Sequence, residues 1–219
     1  VEKVTVRDKW RQTEFASTYS YHHGYFDGIE REFRGFGRVE QRDVESYGKF
    51  MQGNIASPYI TDQHDLYQPP IKTITWYHTG AAFERDRILS ALKHEYVTIP
   101  GFTEHQLPEP TLTPADLSAE EWREALRACK GMVLRQEVFE LDVDALEQGT
   151  ELPVRLYTTA YHNSNITRVQ SQGINRHAVF LVTESEAITY SYELDLRQSA
   201  PSPDPRIAHT LNLKIDEYG

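Results

Sequence analysis

The nine histidines are the residues in this sequence that could most directly do chemistry, because imidazole nitrogens and carboxylate oxygens together bind metal ions. Two short stretches combine both residue types. They are His22 and His23 with Asp27, and His64 with Asp62 and Asp65. Neither has the spacing of a metal site, since the sequence contains no H-E-x-x-H and no two histidines four residues apart beside an acid. We therefore expect hairpin or loop residues at both places and predict no bound metal.

Glu184 and Glu186 are the sharpest candidates for catalysis, because an E-x-E arrangement presents two carboxylates on one side of a strand or turn. Such a pair resembles the one in ADP-ribosyltransferases, so an ADP-ribosyl-transferring enzyme is one alternative function for the chain. The pair follows the apolar run from His177 to Val182 and precedes an alternating segment. The interpretation that we favour at both glutamates is therefore a strand end or a hairpin turn.

Other motifs for nucleophilic or phosphate chemistry are missing. Cys129, the one cysteine, lies on the apolar face of a predicted helix, where a buried and inert thiol is expected. The sequence has no G-x-S-x-G motif, and the stretch from Gly35 to Gly37 lacks the third glycine of a phosphate-binding loop. We predict neither enzymatic activity nor a cofactor.

The thirteen tyrosines and three tryptophans could form a platform that stacks on sugar rings, so a carbohydrate-binding module with exposed tyrosines is a second alternative. Several of these aromatic residues recur at the two-residue period of a strand. They are Tyr19, Tyr21, Trp76, Tyr190 and Tyr192. Aromatic pairs across neighbouring strands stabilise sheets, which accounts for most of them without a ligand.

Charge and length limit the partners of the chain. A net charge of -10 argues against nucleic acid, which is bound by clustered basic residues. The arginines at 31, 34, 38 and 42 alternate with acidic residues, as in ion pairs across a solvated sheet. No apolar run is long enough to span a bilayer. Because the first residue is not Met and the last segment reads as a strand, we expect residues 1–219 to be a single fragment of a longer polypeptide.

Strand-like alternation dominates both ends of the chain and predicts a mainly β fold of antiparallel, curved sheets. A helical and proline-rich insertion at about 81–131 is expected between the two β-rich halves. The predicted strands are Lys3 to Val6, Glu14 to His22, Ile29 to Tyr47, Ile71 to His78, Met132 to Leu141, Val154 to Tyr161, Ile166 to Gln170, Ala178 to Thr183, Ile188 to Leu196 and Ile207 to Ile215. Turn clusters at 163–165 and 201–205 separate the later ones.

The insertion contains one clearly predicted helix, from Ser118 to Lys130, with a capping box at its start and Gly131 after its end. Its predicted apolar face consists of Trp122, Ala125, Leu126 and Cys129. A weaker helix is predicted from Phe83 to His94. The proline-rich segment from Pro100 to Pro114 is predicted to be a loop that cannot join a sheet.

The segment from Tyr19 to Gln41 has the pattern of a β-hairpin, in which Gly24 and the Asp27-Gly28 pair supply the turn. Two further glycines flank a phenylalanine where a strand would bulge, so at least one should have positive φ or face a closely packed backbone. The predicted structural residues of the hairpin are Tyr19, Tyr21, Gly24, Asp27, Gly28, Gly35, Phe36 and Gly37.

The tyrosine- and glycine-rich pattern at 19–41 resembles the repeats of Rhs/YD proteins. More narrowly, it resembles the middle/C-terminal region of the B component of bacterial insecticidal toxin complexes, the TcdB-like family. Four further stretches resemble the same family: Trp76 to Ala81, Glu124 to Asp142, His177 to Glu193 and Asp204 to Gly219. Together these stretches cover nearly the whole chain.

The resemblance implies that B and C components close into a hollow shell of spiralled antiparallel sheet. That shell holds a cytotoxic effector until it is threaded through the B-component propeller into the A-component channel. The chain would be a non-enzymatic segment of this wall, secreted or associated with the bacterial cell surface. Its partners would be the rest of the same B-component chain, the Rhs-type C component and, through the assembled complex, the A-component channel. The aspartate- and glycine-rich signature of the Rhs core autoprotease is missing here, so that activity would belong to the partner subunit.

Overall fold

The computed structural model describes residues 1–10, 12–43, 56–58, 69–114, 116–199 and 202–216. The described chain is mainly β, with nine strands in one sheet and three helices. The fold class predicted from the alternating pattern is therefore confirmed. The second candidate metal group, built on His64, lies outside the described residues.

The strands are β1 (Lys3–Asp8), β2 (Thr13–Asp27), β3 (Glu32–Arg42), β4 (Ile71–Tyr77), β5 (Thr111–Thr113), β6 (Val133–Leu141), β7 (Pro153–Gln170), β8 (Val179–Asp195) and β9 (Arg206–Leu211). The helices are α1 (Arg85–Lys93), α2 (Ala119–Ala128) and α3 (Val143–Glu147). None of the described helices is long and apolar enough to cross a membrane.

Eight strands follow one another across the sheet in the order β1-β2-β3-β4-β6-β7-β8-β9, and each neighbouring pair is antiparallel. β5 instead pairs in parallel with residues 165–167 of β7. Because β6 pairs with β7 only as far as Tyr161, the edge beyond it is open, and β5 occupies part of that edge. The expectation that the proline-rich segment could not join a sheet is therefore wrong. Pro110 and Pro114 flank β5 and leave its three residues free to pair.

β7 and β8 are continuous strands of 18 and 17 residues where shorter strands separated by turns were predicted. Their register shifts between Asn163 and Ser164, which marks a β-bulge at the place of the predicted turn. Both residues are buried, and the ladder satisfies backbone groups that a buried turn would leave unpaired. The predicted breaks at 163–165 and at the two glutamates of β8 are therefore wrong.

The core lies between one face of the sheet and the long connection from β4 to β6. The main cluster of buried residues consists of Ile99, Phe139, Leu156, Tyr161, Ile188, Tyr190, Tyr192 and Leu194. A smaller cluster under α2 consists of Ala125, Cys129 and Ile166. Burial of this apolar surface supplies the main driving force for holding the connection on the sheet.

α2 begins as predicted but lies on the sheet with a different face. The Ser118 hydroxyl accepts a hydrogen bond from the Glu121 N–H, and the Glu121 carboxylate accepts one from the Ser118 N–H, which completes the capping box. Leu126 is buried, but Trp122 is 38% exposed, so its predicted place on the packed face is wrong. Glu121 is the buried residue of this turn because its carboxylate reaches Arg168 of β7.

The other two helices are short. α1 confirms the weaker prediction but begins at Arg85, two residues late, because Phe83 is exposed and Glu84 has a left-handed φ of 56° without a side-chain cap. α3 was not predicted. It begins where the Asp142 carboxylate accepts a hydrogen bond from the N–H of Ala145 at 2.8 Å.

Candidate functional site: an anchored hairpin and a buried arginine network

β2 and β3 form the predicted hairpin and meet in a turn at residues 28–31. Asp27 ends β2, and its Oδ1 accepts hydrogen bonds from the N–H groups of Ile29 at 2.9 Å and Glu30 at 3.1 Å. Gly28 lies between these residues in the turn. The aspartate therefore closes the turn by capping its backbone.

The other predicted residues of the hairpin lie in its strands. Tyr19, Tyr21 and Gly24 lie in β2, and Gly35, Phe36 and Gly37 lie in β3. Gly24 pairs with Phe36 across the hairpin, so its predicted place in the turn is wrong. The turn needs no second glycine because Asp27 closes it, and Gly24 has a packing role instead.

A β-bulge interrupts the hairpin where β3 contains two glycines. The register shifts between Gly24 and Phe26, because one residue of β2 there faces two of β3. Gly35 has a φ of 94°, as the sequence predicts for at least one of the two glycines. A Cβ on Gly37 would lie 3.2 Å from the Cβ of His23, so this position is also tightly packed. That these glycines curve a larger sheet stays a prediction.

Three aromatic rings pack together on the hairpin. The ring centroids of Tyr21 and Phe36 are 4.9 Å apart, and those of Phe33 and Phe36 are 5.2 Å apart. The two phenylalanines are three residues apart and would face opposite sides of a regular strand, so the bulge is what brings them together. A Cβ on Gly24 would lie 3.4 Å from both phenylalanine rings, so the glycine leaves room for them.

Arg34 anchors the hairpin to the rest of the chain. Its side chain is buried, its Nη2 lies 2.7 Å from Oδ2 of Asp27, and its Nη1 donates to the carbonyl of Gly80. Burial disfavours the charged form of Asp27, but the capped backbone N–H groups and the Arg34 guanidinium outweigh it and lower the pKa. At Gly80, φ is 69° and a Cβ would lie 3.0 Å from the Leu126 carbonyl, so α2 approaches the backbone closely there. Arg34 thereby connects the turn to the loop beneath α2.

Glu95 provides a second anchor just beyond α1. Its carboxylate contacts Nε2 of His23 at 2.6 Å and accepts hydrogen bonds from Arg38 at 3.0 Å and from the Trp76 indole at 3.1 Å. Burial opposes the charged form of Glu95, but these three partners prevail and lower its pKa. One carboxylate therefore joins β2, β3 and β4 to the end of α1.

The candidate metal group of His22, His23 and Asp27 is not brought together. His23 contacts Glu95, His22 lies 3.6 Å from Glu40, and Asp27 pairs with the arginine described above. Among the described residues, no cluster of three or more histidine, cysteine or acidic side chains could hold a metal ion.

A buried ionic network on β6 is the feature that the sequence analysis missed. Arg135 is 0% exposed, and its guanidinium lies over two tyrosine rings, 4.8 Å from the centroid of Tyr96 and 4.4 Å from that of Tyr161. Its Nε lies 2.7 Å from Glu137, and its Nη1 lies 2.6 Å from Glu104. One arginine is therefore shared by two carboxylates and two aromatic rings.

The two carboxylates extend the network to three strands. Glu104 also accepts hydrogen bonds from the hydroxyls of Thr159, Tyr161 and Tyr192 on β7 and β8. Glu137 accepts one from the N–H of Val97 at 2.9 Å. The segment 97–104 is thereby fixed to β6, β7 and β8.

Burial disfavours the charged form of both carboxylates, with different outcomes. At Glu104, the Arg135 guanidinium and the hydroxyl donors outweigh burial and lower the pKa. At Glu137, burial prevails and raises the pKa. The neighbouring carboxylates raise the pKa of Arg135 in spite of its burial. The arginine is therefore the fixed charge of the network.

A sequence signal for this network exists. Arg135 and Glu137 occupy the same alternate positions of β6 as Phe139 and Leu141, and all four are buried. Charged residues at the core positions of an amphipathic strand are uncommon unless they are paired. The alternation alone could therefore have identified Arg135 and Glu137 as buried charged residues that need partners.

The two candidate catalytic carboxylates lie in the middle of β8, each beside a histidine of a neighbouring strand. Glu184 lies 2.6 Å from His162 of β7, and Glu186 lies 2.7 Å from His209 of β9. The cavities lined mainly by residues 93–110, the larger about 580 Å³, include neither glutamate. The carboxylates thus contact different strands. Cys129 is buried, and burial raises the pKa of its thiol to about 12, which agrees with the inert thiol predicted.

Two family models match the chain. The model of the insecticide toxin TcdB middle/N-terminal region matches residues 1–65, and that of the insecticide toxin TcdB middle/C-terminal region matches residues 124–219. The first match includes the hairpin and the second includes β6 to β9. The resemblance seen in the sequence concerned the middle/C-terminal region alone, and the match over residues 1–65 adds the middle/N-terminal region. No curated protein matches the chain.

Solved structures of toxin complexes match the chain at similar levels. A crystal structure of TcdB2-TccC3 without the hypervariable C-terminal region has a TM-score of 0.65 at 26% identity, over 100% of this chain and 9% of that one. A crystal structure of TcdB2-TccC3 has 0.60 at 26% identity, over 88% and 8%. The Photorhabdus luminescens Tc holotoxin pore has 0.63 at 26% identity, over 100% and 9%. The chain therefore spans no more than 9% of the length of these matching chains.

Replacing Gly35 with alanine is expected to lower the free energy of unfolding by about 1–2 kcal/mol, because its φ of 94° is unfavourable for a residue with a Cβ. Apart from the adjacent residues, no atom lies within 4 Å of the added Cβ, so the loss comes from backbone strain and not from a steric clash. Gly28→Ala is the matched control, since its surroundings are also open and its φ is not left-handed. Urea unfolding of the 219-residue chain measures both, and equal stabilities would contradict the role of glycine in the bulge.

Replacing Arg135 with methionine is expected to cost about 3–5 kcal/mol, because two buried carboxylates lose their counter-charge. Adding Glu104→Gln and Glu137→Gln to that variant should recover much of the loss, since the uncompensated charges are then gone. Arg155→Met is the control, because the Arg155 side chain is 40% exposed and its Nε lies 3.7 Å from Glu140. Chemical denaturation tests all three, and a triple variant less stable than the single one would refute the explanation.

Proposed function

Because this chain belongs to the TcdB insecticide toxins, as a segment of the middle region of a toxin-complex B component, we propose that it forms part of the wall of a hollow shell. The shell would be closed together with the C component and would enclose a cytotoxic effector before translocation. The role of the chain in that wall would be structural.

The outermost strand supplies the observation that carries this proposal. All six residues of β9 are exposed. Ile207 lies opposite Tyr190 of β8, and residues that face each other across a ladder share a face of the sheet. Tyr190 is 3% exposed, whereas Ile207 is 59% and Leu211 54% exposed. The buried face of the sheet thus continues onto β9 with no described residue to cover it, as expected where a wall extends sideways.

The opposite edge supports the same proposal. β1 pairs with β2 alone among the described strands, and Val6 in its centre is 61% exposed. A long exposed edge with apolar residues is a site for pairing with further strands. We propose that strands from the rest of the same B-component chain pair with β1 and β9.

Curvature is the second requirement of a wall. The register shifts in four pairs of neighbouring strands, namely β2 with β3, β4 with β6, β6 with β7, and β7 with β8. Bulges increase the local twist and bend the strand that contains them. These irregularities support a sheet that bends into a shell, with Gly35 and Gly37 contributing to the bend.

We further propose that residues 1–219 form one unit with an insertion at about 81–131. The two family matches leave residues 66–123 between them, which overlaps much of this range. The connection carries α1, β5 and α2 and returns to a strand adjacent to the one it left. In this arrangement the insertion covers one face of the wall.

The partners and location follow from the same proposal. The matching structures are complexes that contain TccC3 and a Tc holotoxin pore, so we propose a C component of the TccC type as partner and, through the complex, the A-component channel. The complex would be secreted. Neither alternative function gains support, because Glu184 and Glu186 contact separate histidines and Tyr190 and Tyr192 are buried.

Replacing Ile207 and Leu211 together with lysine in a full-length B component is expected to prevent closure of the shell, because two charges would enter the extended apolar face. The same double variant of the 219-residue chain should keep wild-type stability, since both side chains are exposed there. Leu152→Lys, at a residue 49% exposed and before β7, is the control. Size-exclusion chromatography and electron microscopy of B with C report closure, and normal shells from the double variant would refute the proposal.

Replacing Glu184 and Glu186 with glutamine is expected to leave assembly and toxicity close to wild type, because the toxic chemistry is assigned to another polypeptide. The glutamine side chains can still hydrogen-bond His162 and His209. Purified protein should not hydrolyse NAD. Turnover of NAD that disappears in the double variant would overturn the structural interpretation.

A further inference from the structure

Two hairpin turns of this chain contain the same four-residue pattern, Gly-Ile-x-Arg. The first comprises residues 28–31, between β2 and β3, and the second comprises residues 173–176, between β7 and β8. Ile29 is 59% exposed and Ile174 is 104% exposed, so both isoleucines protrude from their turns. We refer to the two connections that contain these turns, residues 28–31 and 171–178, as the hairpin tips.

The hairpin tips lie at the same end of the sheet. From β2, the antiparallel pairings pass through β3, β4 and β6 to β7, and each pairing reverses the direction of the strand. Four reversals make β2 and β7 run in the same direction. The tips follow the final residues of these two strands, so they extend beyond the same end.

α2 braces both hairpin tips with side chains of opposite charge. Its arginines hold the first tip, since Arg123 lies 2.9 Å from Glu30 and Arg127 lies 3.1 Å from Glu32. Its glutamates hold the second tip at three residues. Glu120 accepts from the Gln172 side chain, Glu121 from the Gln172 N–H, and Glu124 from the Ala178 N–H while also contacting His177. Both tips are thereby pre-organised in the free chain, which lowers the entropy lost on binding.

Trp122 lies between the residues of α2 that hold the two tips. Its neighbour Glu121 binds the second tip and its neighbour Arg123 binds the first. Its ring is 38% exposed, although the amphipathic pattern predicts burial. The exposed tryptophan therefore belongs to the same end of the molecule as the two isoleucines.

The arginines of the tips differ from most others in the chain. Neither Arg31 nor Arg176 forms an ion pair with a described residue, whereas most described arginines do. The chain as a whole has a net charge of -10, so carboxylates for pairing are abundant. Two unpaired guanidinium groups beside two exposed isoleucines form a local surface that complements apolar sites edged by carboxylates.

We propose that the two hairpin tips and Trp122 form a docking surface for the C component of the toxin complex, which contacts them through apolar sites edged by aspartate or glutamate. This inference rests on the proposed function, because it takes the C component as the partner. Arginine and tryptophan are enriched at the centres of interfaces between separate proteins, whereas charged residues buried by their own chain are uncommon unless they are paired. The pairing of each isoleucine with an arginine therefore favours a separate polypeptide as the occupant.

The test measures association of full-length B and C components in two double variants. Arg31→Gln with Arg176→Gln should slow association about tenfold and reduce its dependence on salt, because these charges steer the encounter. Ile29→Ser with Ile174→Ser should speed dissociation by about tenfold or more, because apolar anchors determine the lifetime of a complex. Leu152→Ser with Arg197→Gln is the matched control, since these exposed residues lie before β7 and after β8, at the opposite end of the sheet. The control should stay within about twofold of wild type.

A second measurement keeps the proposal testable if the double variants fold poorly. The cysteine of an Ile29→Cys or Ile174→Cys variant should react with a maleimide in the free B component and at least about tenfold more slowly in the B–C complex. Equal reaction in both states, or wild-type kinetics of both double variants, overturns the docking surface. If either cysteine is already protected from the maleimide in free B, the proposal is also overturned, because the B chain itself then covers the surface. If wild-type B and C do not assemble, the proposed function itself fails.

Discussion

The guanidinium of Arg135 is removed completely from water, and removing a charge from water costs several kcal/mol unless its surroundings replace the lost hydration. Two carboxylates and two tyrosine rings replace it here, and they come from β6, from β7 and from the connection that covers them. A purely apolar contact between this connection and the sheet could slide by a residue with little loss. The paired charges allow only one position, so the core cluster around Phe139 and Tyr161 forms in one register.

The hairpin depends on the same principle at a smaller scale. Arg34 and Glu95 are charged groups with little or partial exposure, and each contacts more than one element. Their partners are fixed by geometry: the carbonyl of Gly80 is accessible because that residue has no Cβ beside α2. The sheet thus has one face held by directed polar contacts with the connection. The aromatic rings on the hairpin remain partly exposed.

Local sequence signals predicted which helices and strands form better than they predicted how long each of them is. The capping box at Ser118, the alternation of β6 and the Asp27 turn are written in a few neighbouring residues, and each appears in the structure. The polar residues Asn163 to Asn165 read as a turn because their burial depends on β5 and β8, which are distant in sequence. Trp122 was misplaced because Glu121 is drawn inward by Arg168 on β7, a contact that periodicity along one helix does not contain.

In the candidate site, too, features encoded by neighbouring residues could be predicted, and features that depend on distant contacts could not. Positive φ at Gly35 could be expected from its place in a strand pattern. In contrast, His22 contacts Glu40 and His23 contacts Glu95, and the sequence around the two histidines does not contain these partners. Arg135 was missed because its pairing requires Glu104, which lies in a segment that reads as a proline-rich loop. Charged residues that look like surface groups are therefore the ones whose roles most needed the three-dimensional structure.

In the proposed shell, the unbroken length of β7 and β8 would set a scale for what the wall encloses. At about 3.3 Å per residue, an 18-residue strand extends roughly 60 Å, against about 17–20 Å for an average strand. Such a strand is about three times as long as an average one, and in the proposed shell its length would set the height of the wall. With β8 of nearly equal length alongside, one hairpin spans a distance greater than the diameter of a small folded domain, and in the proposed shell it would determine how tall the enclosed chamber could be.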